Sequence, residues 1–187
     1  MKYFQKVLPV YKKLKNYVAQ SSILANIGII QYKNKNIAEA INYSQTSLKI
    51  ADSIGDLRGR ARENGNLSAY YTELKNPDIA LMYGLKAVEI NKKTGNKKSL
   101  AINMQNVSSA YLGKGEYEEA KSYGIKALQA GNELNVTEVR RDASLGLSEV
   151  YDAMKMPDSA LIYYKQYTKF ADTISNDKKK NEITRMG

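Results

Sequence analysis

Between Asn36 and Gly55 the apolar and small residues fall at Ile37, Ala40, Ile41, Ser44, Leu48 and Ala51. Steps of three and four predict a helix. From Leu57 to Leu74, Ala61, Gly65, Leu67, Ala69, Tyr70 and Tyr71 predict a second helix with apolar groups on more than one side. Such a helix is sandwiched between neighbours. The pattern returns at a shift of 40 residues without insertion or deletion, at Asn26-Ile27-Gly28, Asn66-Leu67-Ser68, Asn106-Val107-Ser108 and Gly146-Leu147-Ser148. The same shift aligns Ala40, Ala80, Ala120 and Ala160, and then Tyr43, Tyr83, Tyr123 and Tyr163. A fixed period of this size is the signature of stacked repeats.

The links between helices are short. Asn76-Pro77-Asp78 puts proline at a first helical position behind a capping asparagine. Met156-Pro157-Asp158 repeats the pair, and Gly115-Glu116 makes the equivalent turn with glycine. Gly55 and Gly95 stand where a second helix must end in a left-handed residue. Small residues recur on one face of each second helix, as Ala40, Ser44 and Ser47, then Ala80, Gly84 and Ala87, then Ala120, Gly124 and Ala127. They let a neighbouring helix approach closely.

The segment from Asn106 to Ala120, followed by Tyr123 and Ala127-Leu128, resembles a tetratricopeptide repeat. The other units match with substitutions: Gln31 stands where tyrosine is usual, Tyr167 where a small residue is usual, and no unit has tryptophan. The resemblance runs from about Ser21 to Asp172. It implies an all-α fold, a right-handed superhelix of stacked antiparallel helix pairs. The 40-residue period is similar to the longer-helix arrays of bacterial sensor kinases and regulators. The expected layout is a single domain over 1–187: a half-repeat helix at 1–15, repeats at 17–55, 56–95, 96–135 and 136–175, and the start of a capping or continuing helix at 176–187. Polar caps and a fragment of a longer chain both fit these ends.

Composition narrows the chemistry. The 187 residues include no cysteine, histidine or tryptophan, which excludes disulfides, the usual zinc sites, imidazole bases and thiolate nucleophiles. Both cytoplasm and periplasm stay open. No apolar run approaches the ~20 residues of a membrane span, and the lysine-broken start does not read as a secretory signal. Gly113-Lys114-Gly115 lacks the length of a phosphate-binding loop, and Glu116, Glu118 and Glu119 read as the acidic first turn of a helix. The chain is therefore expected not to be an enzyme and to need no cofactor. Net charge is +10, of which Lys2, Lys6, Lys12, Lys13, Lys15, Lys33 and Lys35 contribute seven before the first acidic residue, Glu39.

The resemblance implies that the first helix of each unit lines a concave groove. Positions four, three and four apart share its stripe, which places Asn26, Asn66 and Asn106 in register with Lys33, Arg62, Ser109 and Glu149. An asparagine amide can clamp the backbone of an extended peptide. Arg58, Arg62 and Lys33 form the anion-binding candidate, while Asp142, Glu149 and Asp152 make the other end acidic. The expected partner is a protein or extended peptide, with an acidic one suited to the arginines. The rival is a self-association module, a homo-oligomer with an idle groove. A weaker rival is a basic end docking on nucleic acid or anionic membrane, nucleic acid being the less favoured for want of arginine and exposed aromatics.

Overall fold

A computed structural model describes residues 2–186. Among them the chain forms nine α-helices and no strand: α1 (Lys2–Lys13), α2 (Tyr17–Lys33), α3 (Ile37–Ser53), α4 (Leu57–Glu73), α5 (Pro77–Thr94), α6 (Lys97–Lys114), α7 (Tyr117–Glu133), α8 (Thr137–Ala153) and α9 (Pro157–Met186). Each helix packs on the next. The first helices of the repeats, α2, α4, α6 and α8, also touch the next first helix along, whereas α3, α5, α7 and α9 do not touch one another. One row of helices is thus close-set and the other splayed. That difference curves the stack into a right-handed superhelix, with α2, α4, α6 and α8 on the concave side.

The small residues set the spacing. Ala40, Ala80 and Ala120 are fully buried. Within repeats, Ser68 Oγ donates to the Ala80 carbonyl at 2.8 Å, Ser108 Oγ to Ala120 at 2.7 Å and Ser148 Oγ to Ala160 at 2.9 Å. Between repeats, Gly84 receives Val107 and Gly124 receives Leu147. A Cβ at either glycine would lie 2.8 Å from the incoming methyl. Tyrosines brace the pairs, Tyr71 stacking on Tyr83, Tyr111 on Tyr123 and Tyr151 on Tyr163 at 5.3–5.8 Å between ring centres.

The turns share one geometry. Lys35, Lys75, Gly115 and Lys155 take positive φ after the first helix, and Lys15, Gly55, Gly95 and Asn135 do so after the second. Asn16, Asp56, Asn76 and Asn96 cap the helices that follow, each accepting the backbone N–H three residues on. At the C-terminal end the sequence pattern places a break near residue 175, and the structure has none. Residues 176–186 continue α9, which runs 30 residues without interruption. Ser175 occupies the place of Gly55, Gly95 and Asn135. Lys15 takes positive φ at the same place, so glycine is not required there; at Ser175 neither glycine, asparagine nor a following proline forces the stop, and the helix propagates.

Candidate functional site

On the concave side three adjoining cavities form one trough along the seam of α4 and α6. The first, of 290 Å³, includes Arg62, Asn66, Ala69 and Asn106 in its walls. The second, of 190 Å³, shares Ala69 and Asn106 with it and adds Tyr32, Thr72 and Ser109. The third, of 210 Å³, shares Thr72 and Ser109 and ends at Lys75, Pro77 and Gly113. From Arg62 to Lys75 the trough follows twelve residues of α4 and the turn after it, about 20 Å. That is room for about six residues of extended chain.

Two glycines give the trough its depth. The Asn103 side chain lies over Gly65, where any Cβ would collide with the amide oxygen. Gly113 sits against Pro77, whose Cβ would be 3.2 Å from a Cβ placed there. Neither Asn103 nor Gly65 stands out on the expected stripe. The signal available is a departure from the repeat, since Asn103 aligns with Ile23 and Ala143. Glu63 departs at the same position. It is fully buried, accepting from Arg62 Nε at 2.7 Å and from Asn66 Nδ2 at 3.3 Å.

Of the residues singled out on the sequence, Arg62, Asn66, Asn106 and Ser109 come together in the trough. Arg62 is spoken for: besides Glu63, its Nη2 donates to Ser21 Oγ at 3.4 Å, tying α4 to α2. Asn106 Nδ2 donates to the Gly65 carbonyl at 3.1 Å, bridging α6 to α4, and to Asn103 Oδ1 at 3.5 Å. The asparagines therefore do not repeat one role. Asn26 lies exposed on α2, outside the trough. Lys33 and Arg58 are also exposed and have no ion-pair partner among the described residues. Glu149 lies on α8, apart from the trough. It reaches solvent, yet partial loss of hydration holds its carboxyl above the usual range. Near the trough's far end Lys35 meets Glu73 at 3.0 Å and Lys114 meets Asp78 and Glu116 at 3.1 Å each, while Lys75, which closes the trough, has no ion-pair partner among the described residues. The Glu73 carboxylate raises the Lys35 pKa through its hydrogen bond and charge.

A further cavity of 430 Å³ opens on the convex side between α3 and α5. Most of its charged groups are already consumed in pairs, Arg60 with Asp52 at 2.7 Å and Lys93 with Glu89 at 2.6 Å. The concave trough keeps more of its polar groups open, among them Asn66, Asn106 and Ser109.

Residues 59–133 match the tetratricopeptide repeat family. No curated protein matches the chain in sequence. Among solved structures, the apo form of RapI superimposes with a TM-score of 0.79 at 20% identity, over 95% of this chain and 65% of that one. A Rap protein complexed with competence and sporulation factor gives 0.78 at 21% identity, over 94% of this chain and 51% of that one. A signal transduction ATPase with a tetratricopeptide repeat sensor, from Pyrococcus horikoshii, gives 0.71 at 21% identity, over 94% of this chain and 28% of that one. This chain thus spans about half to two thirds of the Rap chains' length, and at these identities the likeness is one of fold. Residues 59–133 carry the family match and the same 40-residue geometry continues on either side, so the fold of the chain is that of a tetratricopeptide-repeat-type solenoid.

Proposed function

We propose that this solenoid is a non-enzymatic scaffold that captures an extended peptide or protein segment in the concave trough, as the sensing or interaction region of a bacterial signalling or regulatory protein. One observation carries the reading. Asn66 and Asn106 are each anchored through the amide nitrogen, which leaves their carbonyl oxygens as open acceptors along the trough. Anchored acceptors suit the N–H groups of a guest backbone and ignore its side chains. Arg62 and Glu73, both paired, favour the same main-chain recognition, while Arg58 on the turn before Arg62 and Lys75 at the far end, both without an ion-pair partner among the described residues, offer places to acidic guest residues. The resemblance in fold to a Rap protein complexed with competence and sporulation factor, and to a signal transduction ATPase with a tetratricopeptide repeat sensor, supports the setting.

The test uses linear peptides selected on the full chain by phage display. Ala69→Trp, which fills the middle of the trough, should abolish binding of the selected peptides. Asn66→Ala and Asn106→Ala should each weaken it by roughly 0.5–1.5 kcal/mol, the worth of one lost hydrogen bond. Selected peptides that bind the Ala69→Trp chain undiminished would overturn the assignment. A tight dimer in light scattering, unchanged by all three substitutions and binding no peptide, would point to self-association instead.

A further inference from the structure

The other surface with unspent chemistry is the α1–α2 end. Four large apolar side chains are exposed there, Val10 at 54%, Leu14 at 67%, Tyr17 at 49% and Val18 at 58%. Lys6, Val10 and Lys13 follow one another on the outward side of α1, Leu14 comes directly after it in the turn, and Lys12 and Lys15 flank them. Phe4, Val7, Leu8 and Tyr11 are less exposed, and the Tyr11 carbonyl accepts from Gln20 of α2, so that side of α1 is the packed one. Elsewhere four lysines of the array meet carboxylates, in Lys35–Glu73, Lys93–Glu89, Lys114–Asp78 and Lys121–Glu118. Among the described residues Lys6, Lys12, Lys13 and Lys15 meet none, and no acidic residue occurs before Glu39.

A partner for this end must be anionic and apolar together. We propose that the α1–α2 end docks on an anionic lipid surface, Lys6, Lys12, Lys13 and Lys15 meeting the headgroups while Val10, Leu14, Tyr17 and Val18 enter the boundary between headgroups and acyl chains. Lysine suits a fluid target, since its point charge on a flexible stem needs no fixed geometry. An apolar row flanked by lysines is the pattern of a helix lying in the interface. A nucleic acid would leave the three aliphatic side chains unused, and no arginine precedes Arg58 to hold its phosphates bidentately. The contact is peripheral: among the described residues no helix is long and apolar enough to cross a membrane.

Co-sedimentation of the full chain with vesicles tests the proposal, comparing phosphatidylcholine alone with phosphatidylcholine plus phosphatidylserine. Partitioning should rise at least about tenfold with phosphatidylserine, because each lysine near such a surface contributes roughly fivefold. It should fall as salt shortens the reach of the charges. The Lys6→Gln, Lys12→Gln, Lys13→Gln, Lys15→Gln chain should lose that rise. The Val10→Ser, Leu14→Ser chain, with charge unchanged, should bind several-fold more weakly. All six side chains are exposed, so circular dichroism should show unchanged helix in both variants. Binding indifferent to phosphatidylserine would overturn the proposal. So would serine variants that bind vesicles as well as the unmodified chain, or duplex DNA that binds both chains alike and displaces the vesicles at equal ionic strength.

Discussion

At the scale of single residues, the first repeat solves a packing problem in reverse. Repeats two and three place serine on the first helix and glycine on the second, as Ser68 with Gly84 and Ser108 with Gly124. The first repeat has Gly28 with Ser44. The two still meet, since a Cβ on Gly28 would lie 3.2 Å from Ser44 Oγ. The exchange puts a hydroxyl beside Tyr70, which reaches back from α4 into the first repeat and stacks on Tyr32 at 4.8 Å. Burial pushes the Tyr70 phenol up to about 12, a rise the Ser44 hydroxyl partly offsets. The folded state therefore holds the neutral phenol while the unfolded chain ionises near pH 10. The contribution is fully present below about pH 10 and is lost as pH rises through about 12, a difference of about 3 kcal/mol. Urea titrations across that window should show the loss, and Tyr70→Phe should remove this part of the slope. An identical slope in the two proteins would refute the assignment.

At the scale of helices and turns, the left-handed residues decide where the chain reverses. Gly115 adopts φ +78° without Cβ strain, while Lys155 reaches φ +61° at the equivalent place with a full side chain. A non-glycine residue there costs roughly 1–2 kcal/mol, of which glycine's greater freedom when unfolded returns part. Lys155→Gly should therefore raise stability by about 0.5–1 kcal/mol, read as a higher melting temperature. A lower one would mean that the lysine side chain contributes more than the strain removes. The glycine turns were legible in the sequence because glycine announces positive φ. Lysine announces nothing: Pro77 and Pro157 mark the turns beside Lys75 and Lys155, but which residue is left-handed there, and the turn at Lys35, follow only from counting forty residues from Gly115. Counting fails at Ser175, where the residue that would stop α9 is missing and the helix runs on.

At the scale of the whole molecule, coupling is short-ranged: α4 touches α2 through α6, and the ends never meet. Residues 1–95 alone should keep substantial helix and unfold over a broader, lower temperature range than the full chain, because each repeat depends on its neighbour. A random-coil spectrum from that piece would show that α6 is required by everything before it. The repeat, its helix order and its small-residue seams were readable because spacing alone dictates them. The trough was half readable. Asn66, Asn106 and Ser109 follow from the stripe, but the ion pair that occupies Arg62 depends on Glu63 turning inward. Glu63 beside Arg62 in sequence makes the pairing readable, but its burial at a position filled by Ile23 and Ala143 gives no warning beyond being out of place.

The inner helices touch in an unbroken row and the outer ones do not, which makes the array behave like a fan pinned at its pivot. Widening or narrowing the outer gaps disturbs few contacts, so mechanical compliance gathers on the convex side. The inner row lies near the neutral line of such bending and keeps its length. A guest along α4 and α6 would then feel walls of constant spacing while the ends of the solenoid swing. Wedging those two helices apart would instead be paid out as a change of pitch, displacing α1 and α9 far more than the helices it touches.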